Sequence, residues 1–414
     1  MFSYTTRAAA EQAEKEVQQQ FGILDAICEK NTEKVMQAFW DHRVSQEMLH
    51  GTTGYGHDDR ARDTLDSIWA QVFGAEDALV RHHFSSGTQT LATALYAVLR
   101  PGDTMLTVTG RPYDTLLQTI GLSKDQPENA GSLKDFGINY SEINLKEDFS
   151  PDYEAVDNAL KTDPSVKMVY IQRSRGYTTR PALTIDMIEK IVKTVNKRAI
   201  VMVDNCYGEF TEEKEPTAVG ADLCAGSLIK NAGGGIALTG GYITGRKDLV
   251  ELAAYRLTAV GLGKDCSPSL DQMRPMLQGL FMAPHTTAQA LKCAVFAAKL
   301  FENAGLDTSP ASDAKRSDIV QTLTFRDPQK LIRFCQGIQK GSPVDSYVYP
   351  EPYREDGYDD EVIMAAGTFV SGASVEISAD GPMREPYVGY LQGGLTYHSG
   401  KLAIMTAYEE MMKG

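Results

Sequence analysis

The sequence predicts an α/β fold organised on a mainly parallel sheet, and three observations carry that expectation. Apolar runs of strand length, such as VKMVYIQ at 166–172 and AIVMV at 199–203, alternate with segments whose apolar positions recur at helical spacing. Runs that are apolar throughout suit strands buried on both faces, with helices as the crossovers between parallel neighbours. Second, these runs end on residues with chemistry, Arg173 after the first and Asp204 after the second. An open α/β sheet presents its ligand crevice beyond the carboxyl ends of its strands. Third, ENAGLDTSPASDAKR at 302–316 is the clearest shift of composition in the chain, and shorter strand and helix patterns follow it. The expected organisation is a helical arm over 1–50, a large domain over 51–301 and a small α+β domain over 302–414.

With 414 residues, 42% of them hydrophobic, the chain can bury a large core, and it is longer than one typical domain. A formal charge of −14 argues against nucleic acid as a partner, because binding a phosphate backbone needs a basic face. Six cysteines without CxxC spacing suit a reducing compartment and point to no metal site. The N-terminal segment lacks a signal-peptide core, and no apolar run approaches the roughly 20 residues that cross a bilayer. A cytoplasmic protein with no membrane partner is the expectation.

Taken in order, residues 8–48 read as helices, with Phe21, Leu24, Ile27, Val35 and Phe39 at helical spacing. This arm packs on the large domain or embraces a neighbouring chain. Glycines at 51, 54 and 56 form a loop that holds Tyr55, and a helix with acids in its first turn begins after Asp58, near Arg60 and Arg62. ALVRHHF then reads as a strand, and SSGTQTLATALYAV as a turn and helix. Ser86, Gly87 and Thr88 fall at that helix N-terminus, where unpaired amides and the dipole make an anion site for a phosphate. His82 and His83 are read as packed or solvated. TMLTVT is the next strand, and Tyr113 just past it offers an aromatic face to a flat ligand. Residues 121–137 read as a loop. After VKMVYIQ, either Arg173 or Arg175 could bind an oxyanion or carboxylate, with Arg173 favoured. Thr184 is placed to cap the helix that ends near Asn196.

The strand AIVMV ends on Asp204, and a shorter one near 221–226 ends on Ser227, with Lys230 entering the glycines at 233–235. A carboxylate and a Ser-x-x-Lys at neighbouring strand ends form the pattern that a pyridoxal phosphate site needs. The lysine amine condenses with the cofactor aldehyde, Asp204 pairs with the ring nitrogen, and Ser227 can donate to the phosphate. Here VDNCYGEF with SLIKNAGGGIA resembles the fold-type I pyridoxal phosphate enzymes. More narrowly, it resembles the methionine gamma-lyase-like family, often described as cystathionine beta-lyases or aluminium-resistance proteins. The resemblance covers the chain from about Gly51 to its C-terminus. It implies the transferase-like fold of aspartate aminotransferase, with a mostly parallel seven-stranded sheet and a small C-terminal domain. It also implies that Tyr55 and Arg60 reach the cofactor of a partner subunit, although the family's tight Tyr-x-Arg spacing is not kept and Arg62 competes. Tyr113 would stack on the ring. Such a two-chain site needs at least a homodimer, with a homotetramer expected.

After GGYITG, another strand, come a helix from Lys247 and a second helix pair through Leu300. Beyond residue 316 the expectation is a helix after Pro328, strands near 346–349 and 361–365, a strand ending at Ser378 and a final helix from Lys401. Arg384 is the candidate clamp for a substrate α-carboxylate, since the resembled enzymes place an arginine in this domain. Tyr397 and His398 are secondary candidates. The implied reaction releases a thiol, a 2-oxo acid and ammonia from a sulfur-containing amino acid, with Lys230 moving the Cα proton. A sulfhydrylase-like synthase, an aldolase and a non-catalytic cofactor-binding protein are the alternatives. A nicotinamide-dependent dehydrogenase is disfavoured, because no G-x-G-x-x-G follows the first strand.

Overall fold

The computed structural model describes residues 2–123, 127–354 and 360–413. In chain order the first half comprises α1 (Tyr4–Glu16), α2 (Gln18–Asp41), α3 (Arg60–Phe73), β1 (Asp77–Arg81), α4 (Gly87–Val98), β2 (Thr104–Thr107), α5 (Asp114–Ile120), β3 (Asn139–Glu142), α6 (Tyr153–Thr162), β4 (Val166–Gln172), α7 (Ile185–Val195) and β5 (Ile200–Asp204). The second half comprises β6 (Leu223–Ser227), β7 (Gly241–Gly245), α8 (Lys247–Leu257), α9 (Met273–Asn303), β8 (Asp307–Ser309), β9 (Gln321–Thr324), α10 (Pro328–Gly341), β10 (Val362–Ala365), β11 (Ser378–Pro382), β12 (Val388–Gln392) and α11 (Tyr397–Met411).

Seven strands form one sheet in the order β1-β7-β6-β5-β4-β2-β3, in which β7 alone runs against its neighbours. The two-residue period of β4 explains its apolar run. Met168 and Tyr170 pack on one face with Leu91 and Leu95 of α4, while Val169 and Ile171 pack on the other with Ile188 and Ile191 of α7. A strand covered on both sides has no polar face, so its sequence does not alternate. Thr184 caps α7 by accepting from the Met187 amide, and Asn196 in the left-handed region ends it. The second sheet is antiparallel, in the order β10-β11-β12-β9-β8, and is covered by α10 and α9, with α11 packed on both helices.

Several local expectations need correction. The helix pair expected through Leu300 is one helix, α9, which runs through Pro284 without a break. Residues 346–349 hold a turn at 346–347 and no strand, and Ser378 begins β11 rather than ending a strand. The last helix starts at Tyr397. Of the loop expected over 121–137, residues 124–126 lie outside the described residues. The arm packs within its own chain: Ala10, Ala13, Val17, Phe21 and Leu24 are buried in one cluster with residues of α9 and α11. Farther along, Asn31 Nδ2 donates to the carbonyls of Phe210 and Glu212, just past the end of β5. Among the described residues no helix is long and apolar enough to cross a membrane.

Candidate active site

The carboxyl ends of β4, β5 and β6 meet the N-terminus of α4 around a cavity of about 440 Å³, which the second sheet closes with Asp380 and Tyr390. Ser86, Gly87, Thr88, Tyr113, Asp204, Ser227 and Lys230 all line it. A larger shallow depression on the outer face of α2, lined by Glu29, Trp40 and Gln71, holds no comparable set of groups.

At the α4 end, Ser86 Oγ accepts from the Gln89 amide at 3.0 Å, and Gln89 Oε1 in return accepts from the Ser85 amide at 2.6 Å. This reciprocal cap fixes the turn before the helix. The turn packs closely on the next strand end: a Cβ at Gly87 would sit 3.3 Å from Ser227 Cβ and 3.6 Å from Cys206 Sγ. Thr88 Oγ1 lies 3.0 Å from the Tyr113 hydroxyl, and the Tyr113 amide donates to Gln172 Oε1 at 2.8 Å. Burial, reinforced by the Asp204 charge, holds the Tyr113 phenol well above its usual range, so the ring enters the cavity as a neutral group.

Asp204 is 4% exposed at the end of β5. Its carboxylate accepts from the Cys206 amide at 3.1 Å and from the Tyr170 hydroxyl at 3.4 Å. Burial pushes its pKa above the ordinary carboxyl range, and the Cys206 amide and the Lys230 ammonium only partly oppose this. Lys230 Nζ donates to the Ala373 carbonyl at 3.3 Å and lies 3.9 Å from the centroid of the Tyr207 ring. Burial favours its neutral form, yet Tyr207, Cys206 and Asp204 together hold its pKa above the usual lysine range. Tyr207 itself adopts φ 70, an uncommon conformation for an aromatic residue. Asn231 Nδ2 pins that turn by donating to the carbonyls of Tyr207 and Glu209, both at 3.0 Å. Gly234, at φ 59, then lets the chain turn against α9, where a Cβ would come within 2.3 Å of the Gly279 carbonyl oxygen.

Four arginines that sequence reasoning offered to the site are engaged elsewhere. Arg173 is 0% exposed and points away from the cavity into the loop after β5. There it donates to Asn205 Oδ1 at 2.8 Å, the Gly208 carbonyl at 2.8 Å and Glu212 Oε1 at 3.0 Å. Glu212 and Glu215 are buried beside it and need a counter-ion. The acidic stretch TEEKE at 211–215 was the signal for that pairing. The Arg173→Leu variant is expected to lose about 3–5 kcal/mol of stability, read by chemical denaturation, because it takes the ion-pair partner from buried Glu215 and leaves Glu212 with Lys315 alone. Arg384 pairs with Asp360 at 2.9 Å with its side chain 53% exposed, and it is outside the cavity lining. Arg62 is buried and donates to the carbonyls of Gly56 and Ser267, which removes it as a rival to Arg60. Tyr55 and Arg60 themselves are exposed on this chain, and neither lines its cavity. Arg175, the other cation after β4, donates to the Ser309 carbonyl at 2.9 Å and fastens β4 to the second sheet. Tyr397 donates to Glu14 at 2.7 Å, with His398 beside it, on the arm side of the molecule.

Sequence reasoning missed Tyr207, Asp380 and Glu209. Tyr207 stands in the motif VDNCYGEF, so its signal was present; Asp380 sits on β11, far along the chain, and carried no local one. Burial pushes the Asp380 carboxyl up to about 7, with Tyr177 and Lys230 opposing. Glu209 is fully buried, with one oxygen accepting from the Tyr242 hydroxyl at 2.8 Å and the other unpaired. Burial raises it from 4.5 to about 8. A carboxyl raised in the folded state favours folding below its unfolded pKa, and that contribution is lost as pH rises through about 8. Glu209→Gln is therefore expected to be progressively more stable than the parent across that window and no more stable below it, as thermal melts against pH would read.

With fold and site described, the class is plain. The chain matches the family model for methionine gamma-lyase over residues 6–412 and belongs to that family. Its architecture is that of the fold-type I pyridoxal phosphate enzymes. It is similar to the uncharacterized protein YnbB of Bacillus subtilis, with 50% identity over 94% of this chain and 92% of that one. Among solved structures it resembles a carbon-sulfur lyase involved in aluminum resistance from Clostridium novyi NT, at TM-score 0.94 and 51% identity over 98% of this chain and 96% of that one. The pyridoxal-5'-phosphate dependent protein YhfS of Escherichia coli shares the fold at TM-score 0.65 and 17% identity, over 94% of this chain and 97% of that one. Family and fold imply pyridoxal 5'-phosphate as the cofactor.

Proposed function

We propose that this protein is a pyridoxal phosphate-dependent carbon-sulfur lyase that releases a thiol, a 2-oxo acid and ammonia from a sulfur-containing amino acid. The observation that carries the reading is the convergence of Asp204, Lys230 and the 86–88 turn on one cavity. The donor set fits the cofactor. Asp204 is a buried carboxylate without a full counter-ion, matched to a protonated ring nitrogen. Lys230 offers an amine for the aldehyde, and the N-terminus of α4 with Ser227 offers amides and a hydroxyl for the phosphate. When bound, the cofactor supplies an electron sink for charge developing at the substrate Cα.

The chain's own residues do the rest. Tyr207, Cys206 and, least of the three, Asp204 hold the Lys230 proton in the free protein, and Asp204 holds it less once paired with the ring nitrogen. Tyr207 and the Ala373 carbonyl aim Nζ so that it can take the Cα proton and return it. Tyr113, tied to Thr88 and Gln172, covers one side of the slot and excludes water there. Tyr55, exposed on a loop, and Arg60, exposed at the start of α3, both lie outside this cavity and would complete the site of a second copy, in a homodimer or a homotetramer built from it.

The test is to offer the cofactor-loaded protein cystathionine, cysteine, methionine and threonine, and to measure thiol, 2-oxo acid and ammonia. Equal amounts of all three from a sulfur substrate are expected. An aldehyde and glycine from threonine, with no thiol from the others, would mean an aldolase instead.

A further inference from the structure

We propose that Asp380 selects the substrate by pairing with a second ammonium group carried beyond the substrate's Cα, so that the site prefers diamino acids to amino acids with neutral side chains. The inference deepens the reading above and rests on it only in taking this cavity as the place where an amino acid binds. Asp380 lines the cavity from β11, and its Oδ1 is buried without a hydrogen-bond partner. Tyr177 supplies the carboxyl group's side-chain hydrogen bond. A buried carboxylate that lacks a cation is costly, and its fold does not call for it: β11 pairs with β12 through its backbone at Asp380 and Tyr390, whatever the side chain.

Charge around the cavity supports the same conclusion. Among its described lining residues the acids are Asp114, Asp204 and Asp380, and Lys230 is the one cation. Asp114 stands in the first turn of α5, where the helix dipole favours a negative charge. Asp204 and Lys230 are the groups matched to the cofactor. Asp380 is left in the cavity wall, and the ammonium it feels in the free protein, that of Lys230, is the one committed to the cofactor. The rings of Tyr177 and Tyr390, with centroids 5.0 Å apart, border it. A carboxylate beside two aromatic faces suits an ammonium better than a methyl group.

Lysine and norleucine share a four-carbon side chain and differ in the terminal ammonium that only lysine carries, so they isolate this contact. Calorimetric titration of the cofactor-loaded parent is expected to show lysine binding about 10- to 100-fold more tightly than norleucine, and Asp380→Asn should bring that ratio close to one. Equal affinities in the parent, no detectable lysine binding, or a lysine preference that survives in Asp380→Asn would overturn the proposal; the first would mean that another group of the assembled protein already meets the carboxylate. The parent ratio needs no variant to fold, and neither measurement needs turnover. Thiol release without a lysine preference would sink this inference and leave the lyase reading standing, while the reverse result would do the opposite.

Discussion

Lys230→Ala is expected to bind pyridoxal phosphate without a covalent link and to lose at least about 10³-fold in turnover. The effect should be large because one atom does two jobs: Nζ attaches the cofactor and moves the Cα proton. Borohydride reduction followed by mass spectrometry of the peptide around position 230 checks the first job, with a cofactor-modified lysine in the parent and none in the variant. Product assays check the second. Nζ makes no hydrogen bond to a carboxylate, but it is the ammonium that opposes burial at Asp204 and Asp380, so in the cofactor-free variant both carboxyls should rise further and some stability at neutral pH should be lost. A variant with full turnover, or a reduced cofactor found on another lysine, would refute the assignment.

Asp204→Asn is the second large effect, with an expected loss of about 10²- to 10³-fold in turnover while the covalent link survives. An amide cannot hold the ring nitrogen protonated, so the electron sink weakens although every contact stays in place. Stability should move the other way. Burial has raised the Asp204 carboxyl in the free protein, so the contribution that it makes to folding below its unfolded pKa is lost as pH rises through the folded value. The cofactor-free Asn variant is therefore expected to match or exceed the parent in melting temperature at neutral pH. Equal loss of stability and activity would mean that Asp204 acts only as a structural residue.

These two residues were legible in the sequence because their signal is local. Asp204 ends an apolar run whose length and β-branched content identify a buried strand, and Lys230 follows the next one into a glycine turn. The turn at 86–88 was legible for the same reason, as a cap between a strand and a helix. Arg173 and Arg384 were not, because what captures each is tertiary: Glu212 is brought to Arg173 only when the loop after β5 folds back, and Asp360 reaches Arg384 across a strand pair. Arg175 looked as available as Arg173, yet its partner Ser309 lies on the second sheet. Asp380 is the extreme case, since its meaning depends on β11 closing over strand ends that precede it in the chain by well over a hundred positions.

The tether between Lys230 and the second sheet has one more consequence. Besides the bond from Nζ to the Ala373 carbonyl, the Val375 amide donates to the Ile229 carbonyl at 3.1 Å. The segment leading into β11 and the residues around the reactive amine are thus stitched together on both main chain and side chain. Any drift of that sheet pulls the nucleophile off its mark, so damage to the packing under α10 should show up first as slower loading of vitamin B6, well before the protein melts.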